Sequence, residues 1–107
     1  TRSQTTMKGG VAGGYASALV DLAKSSNALE AVHNDMDALD ALLKSSAEIK
    51  TFLVNPAMDA TKKKKVIADI AKEAEFNTLT VNFLNLLVDK QRVVIVADII
   101  ETFEAMY

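Results

Sequence analysis

Cysteine is absent from these 107 residues, and histidine occurs once, at His33. Without thiols there are no disulfides and no thiolate metal sites, and one imidazole leaves little from which to build a transition-metal centre. A lone His33 supports no Ser/His/Asp arrangement either, so it reads as a surface or boundary residue. Basic excess is also missing: Lys and Arg number 12 against 14 Asp and Glu, a net charge of -2. Nucleic-acid binding, which calls for a clustered basic face, therefore finds no support. Long apolar runs are lacking. Val93 to Ala97 is the longest, far below the roughly 20 residues that span a bilayer. The opening TRSQTTMKGG has no apolar stretch of the secretory kind. Its first residue is Thr, so a processed or trimmed product is expected, with residues 1–13 as a flexible tail.

What is present is apolar: half of the residues are hydrophobic. That suits one helical domain over residues 14–107 with one core. Tyr15, Ala18, Leu19 and Leu22 recur at helical spacing, which predicts a first helix from Gly14 to Lys24. Ser25, Ser26 and Asn27 interrupt it and offer a cap for the next helix. Leu29, Val32, Met36, Leu39 and Leu43 then form a seam along that second helix, Ala28 to Lys44. Ala47 to Val54 reads as a short third helix, stopped by Asn55-Pro56 because a residue before proline leaves the helical region. Asp59 caps a fourth, Ala60 to Ala74, buried through Val66, Ile67, Ile70, Ala71 and Ala74. Asn77 or Thr78 caps a fifth over Leu79 to Lys90. The β-branched run Val93 to Val96 favours a strand by propensity. Its continuation through Ile99, Ile100 and Phe103 has helical spacing, so a sixth helix is expected to about Ala105. The fold class is all-α, a six-helix bundle.

Two of these helices carry more apolar surface than one buried face needs. At 100° per residue the apolar arcs span roughly 200° on the first helix and about 220° on the fifth. An amphipathic surface helix needs a stripe only somewhat wider than about 100°. Either both helices are central in the bundle, or their outer faces form a groove for an amphipathic partner helix. In the second case the contacts are Tyr15, Ala18, Leu19 and Leu22 with Leu79, Phe83 and Leu86.

The remaining motifs favour plain readings. GGVAGG at residues 9–14 follows no strand and precedes no Gly-Lys-Ser/Thr, so a helix entry or tail accounts for it better than a phosphate loop. Lys62 to Lys65 could draw phosphate or an acidic partner but reads as a solvated helix face. Asp35, Asp37 and Asp40 fall on the polar side of the second helix and read as solvated carboxylates, not an acid pair or magnesium site. No catalytic residue, cofactor site or metal site is proposed.

The segments GYASALVDLA (14–23), FLVNP (52–56), KKVIADI (64–70) and NFLNLLVDKQRVVIVADIIETFEAMY (82–107) resemble the delta subunit of F-type ATP synthases, the family that includes the mitochondrial oligomycin-sensitivity-conferring protein. The resemblance covers residues 14–107 and rests on several motifs in order. YASALVDLA, LEAVHNDM and NFLNLLVD are most similar in texture to chloroplast forms. One departure is Gly13-Gly14, where relatives often carry a basic or polar residue.

The resemblance implies a six-helix amino-terminal domain that sits on the catalytic head and binds the amino-terminal helices of its alpha subunits. A carboxy-terminal region outside this chain would join the peripheral stalk. The head-facing groove lies between the first and fifth helices in that family, so the carry-over falls on Tyr15, Phe83 and Leu86. The implied role is a non-catalytic stator clamp for ATP synthesis coupled to proton transport. The implied location is the stromal side of the chloroplast thylakoid membrane, reached only through the complex. The mitochondrial inner membrane on its matrix side and the bacterial inner membrane on its cytoplasmic side are the alternatives. The rival function is a free-standing helical dimerisation or regulatory module using the same apolar surface.

Overall fold

A computed structural model describes residues 10–107. Six helices occur in order: α1 Gly10–Ser25, α2 Leu29–Ser45, α3 Ala47–Val54, α4 Ala60–Ala74, α5 Thr78–Asp89 and α6 Val96–Met106. A 3-10 turn, Val93–Ile95, precedes α6, and no strand occurs among the described residues. The all-α, six-helix expectation holds.

Side-chain caps set three of the helix starts. The Ser46 hydroxyl accepts from the Ile49 amide at 3.3 Å, the Asp59 carboxylate from Thr61 at 3.0 Å and the Asn77 side chain from Leu79 at 2.9 Å. Each satisfies an amide that has no acceptor inside its helix. The start of α2 differs from expectation. Ala28 precedes it with no side-chain cap, while Asn27 takes a left-handed conformation (φ 56°) that ends α1 and sends the Ala28 amide back to the Ala23 carbonyl at 2.8 Å.

Two boundaries correct the sequence reading. Helix α1 begins at Gly10, not Gly14, so residues 10–13 are helical and not tail; the expectation for residues 1–9 lies outside the described residues. Ala12, 5% exposed, packs in the core and draws a further turn into the helix. The sixth segment is not one continuous helix. After α5, Gln91 turns left-handed (φ 59°) and the Arg92 amide reaches back to the Leu87 carbonyl at 2.7 Å. The β-branched residues 93–95 then form a tight turn before α6 starts.

The core forms where α1 lies along α6, α4 pairs with α5, and α2 contacts α1, α3, α5 and α6. Leu19, Met36, Leu39, Leu53, Leu87, Ile99 and Phe103 fill it. The α2 seam is buried at Val32, Met36, Leu39 and Leu43, as its spacing predicts. Helix α4 is more shallowly seated: Ile67 and Ala71 are buried, Val66 and Ile70 half-buried, and Ala74 exposed.

Glu75 ends α4 in the left-handed region (φ 56°), with the Phe76 amide bonded to the Ala71 carbonyl at 2.9 Å. A non-glycine residue there costs about 1–2 kcal/mol, and glycine would surrender about 0.5–1 kcal/mol in chain entropy. Glu75→Gly is therefore expected to stabilise the domain by about 0.5–1 kcal/mol, seen as a rise of a few degrees in thermal unfolding.

Candidate partner-binding surface

Val11, Tyr15, Ala18 and Leu22 recur at intervals of four, three and four on α1, within about 60° of its circumference. The core takes the adjoining arc through Ala12, Ala16, Leu19, Val20 and Ala23. The first set is left outside: Val11 and Leu22 are 46% and 47% exposed, Ala18 is exposed and Tyr15 half-buried. Helix α5 repeats the arrangement. Thr80, Phe83, Leu84, Leu87 and Val88 face inward, while Leu86 is 42% exposed and Leu79 half-buried. The apolar excess legible in the two arcs is surface that the bundle does not cover.

The two stripes meet at one aromatic contact. The rings of Tyr15 and Phe83 pack edge to face, with centroids 6.4 Å apart and an interplanar angle of 69°. Such a contact adds to the burial of both rings. Because α1 lies chiefly on α6 and α5 chiefly on α4, this pair joins two helices whose main packing is elsewhere.

The seven sequence-predicted residues therefore separate. Tyr15, Ala18, Leu22, Leu79 and Leu86 lie on the accessible side. Leu19, 1% exposed, is a correction: it sits 40° around α1 from Tyr15 at 100° per residue and is spent on the core. Phe83, 7% exposed, is largely covered and packs edge to face with Tyr15. Val11 is the residue that sequence reasoning missed. Its spacing of four from Tyr15 was the available signal, hidden by assigning residues 1–13 to a tail.

Asp35 departs from its solvated reading, while His33 is the boundary residue expected. Asp35 is 9% exposed; its Oδ2 accepts from the Thr80 hydroxyl and the Asn77 amide, both at 2.7 Å, and so ties α2 to the start of α5. Asp35 lies three residues from Val32 and four from Leu39, which places it on the buried seam. His33 is half-buried and pairs through Nε2 with Glu104 at 2.8 Å and Asp37 at 3.7 Å. Its ring stacks on Tyr107 with centroids 3.8 Å apart. Burial pushes the Glu104 carboxyl above its usual range, the His33 hydrogen bond draws it back, and a hydrogen bond with Asp37 raises it again. Among the described residues these three side chains are the group whose donor atoms gather within 4.8 Å. The imidazole is already engaged by Glu104, and the cluster acts as a clasp between α2 and the end of α6.

Comparison with known proteins agrees with this architecture. The family described as ATP synthase delta (OSCP) subunit matches residues 11–107. The chloroplastic ATP synthase delta chain of Chlamydomonas reinhardtii is 47% identical over 94% of this chain and 46% of its own length. The chloroplastic delta subunit of Arabidopsis thaliana is 38% identical over 94% and 43%. A chain in the cryo-EM structure of the Toxoplasma gondii mitochondrial ATP synthase hexamer superposes with a TM-score of 0.86 at 36% identity, covering 92% of this chain and 54% of that one. The chain thus spans about half the length of the curated relatives it matches. With a family match that runs from Val11 to the last residue over a bundle of the same fold, the chain belongs to the ATP synthase delta (OSCP) subunit family.

Proposed function

We propose that this domain is the head-binding part of a non-catalytic stator subunit of a proton-translocating F-type ATP synthase. The uncovered stripes of α1 and α5 receive an amino-terminal helix of an alpha subunit. The remainder of the subunit, outside this chain, links to the peripheral stalk. A rotary enzyme must stop its catalytic head from turning with the central shaft, and this joint does so by adhesion, without chemistry. Its place in this reading is the stromal face of the thylakoid membrane, and the chloroplastic relatives support the chloroplast as the compartment.

The observation that carries the reading is the pair of exposed apolar stripes on either side of the Tyr15–Phe83 contact. An amphipathic guest helix buries residues at spacings of three and four, which is the spacing these stripes offer. Leu22 and Leu86 supply aliphatic anchors, and exposed Ala18 permits close approach of a guest backbone.

Leu86→Glu tests it, because binding would then strip water from a carboxylate with no partner. The expected result is a loss of at least about 2 kcal/mol, or roughly 30-fold in affinity, for an alpha-subunit amino-terminal peptide. Titration calorimetry measures the loss and circular dichroism verifies the fold. Unchanged affinity in a folded variant rejects the groove. In sedimentation the isolated domain should be a monomer; a tight dimer buried through the same stripes would favour the self-association alternative.

A further inference from the structure

The His33 clasp gathers three metal-binding side chains at one point. His33 and Asp37 stand four residues apart on α2, on the same face of the helix. Glu104 reaches them from the last turn of α6. His33 Nε2 lies 2.8 Å from Glu104 Oε1 and 3.7 Å from Asp37 Oδ2, and one donor atom from each of the three falls within 4.8 Å of the others. Two ligands of a tetrahedral zinc ion, each about 2.0–2.1 Å from it, stand about 3.3 Å apart. The two imidazole distances bracket that value.

The group is short of positive charge. Two carboxylates converge on one imidazole, whose Nε2 has a single proton to give, and the 2.8 Å contact with Glu104 uses it. Glu104 Oε2 is covered and meets no donor among the described residues. An oxygen left in that state calls for an ion or a water beside it. Burial and the nearness of Asp37 hold the Glu104 carboxyl above its usual range against the pull of His33. The ring is also fixed in place: stacking on Tyr107, with planes 4° apart, sets His33 with Nε2 toward the carboxylates. Side-chain exposures of 20%, 35% and 55% at His33, Glu104 and Asp37 leave an ion a way in and room for a water in its fourth position.

We infer that His33, Asp37 and Glu104 bind one divalent transition ion of the zinc class, which cross-links α2 to the end of α6. The imidazole selects against Mg²⁺ and Ca²⁺, which take oxygen ligands. On binding, the ion displaces the Nε2 proton to solvent, Nε2 and Oε1 part by about half an ångström, and Glu104 gains a cation for its second oxygen. No residue of the α1 and α5 stripes takes part, so the site stands independently of their role.

Zinc titration of the full, untagged chain at neutral pH, followed by NMR through the ring resonances of His33, decides the matter. His33 is the chain's one imidazole, and no cysteine competes for the metal. The expected result is saturation at one equivalent with a dissociation constant on the order of 10 µM, while Mg²⁺ at about a thousandfold excess leaves the ring unmoved. Asp37→Asn and Glu104→Gln should each weaken zinc about tenfold, and Asp40→Asn should leave it unchanged. Asp37 is the more exposed of the two acids, so its variant keeps the test decisive should Glu104→Gln fail to give a native spectrum. No saturation below about 1 mM overturns the site. So does zinc affinity undiminished in Asp37→Asn, the behaviour of a lone imidazole, or an equal response to Mg²⁺.

Discussion

Phe103→Ala is expected to lower the unfolding free energy by about 3–5 kcal/mol, the range for an aromatic truncated in a core that collapses only partly. Phe103 is fully buried on α6, the helix along which α1 lies and which α2 also touches. Its ring has two neighbours at 6.3 Å, His33 of α2 and Tyr107 at the end of α6, which stack on each other with centroids 3.8 Å apart. Removing it opens a void between three helices and unseats the stack beneath the His33–Glu104 clasp. A domain of this size has about 5–15 kcal/mol in total, so the variant should sit near the limit of stable folding. Urea denaturation should show a midpoint lower by more than about 1 M. A shift worth less than about 1 kcal/mol would mean that α6 does not anchor the bundle as described.

Asp35→Ala should cost about 2–4 kcal/mol, unusual for what the sequence presents as a surface acid. The carboxylate accepts two short hydrogen bonds, from Thr80 with no exposed surface and from the Asn77 amide at the start of α5. Hydrogen bonds to a charged group contribute about 1.5–3 kcal/mol each, and donors left unsatisfied in the interior cost about 1–3 kcal/mol. The relief of Asp35 desolvation offsets part of that sum. Asp35→Asn keeps one carbonyl within reach of both donors and should lose only about 1–2 kcal/mol. Amide exchange at Asn77 and Leu79 gives the local readout: faster exchange in Asp35→Ala is expected as the first turn of α5 loosens. Exchange and stability equal to the parent would show that the carboxylate does not hold the two helices together.

Local chemistry made much of this molecule legible. The seam of α2, the stop at Pro56, and the caps at Asp59 and Asn77 all depend on contacts within a turn or two. The arcs of α1 and α5 also announced more apolar surface than a bundle helix needs, and part of that surface is exposed at Leu22 and Leu86. Tertiary packing decided how each arc is divided. Leu19 went to the core and its neighbour Ala18 to the surface because α6 covers one side of α1 and leaves the next open. Ala12 lengthened α1 through burial against that core. Asp35 and Lys63 are polar letters whose positions on their helices face inward. Only the course of neighbouring helices shows that Thr80 meets the one, while the other lines a cleft between α4 and the segment after α5. A single helix's periodicity records what it has to bury; what buries it depends on how the axes cross, which no local interaction encodes.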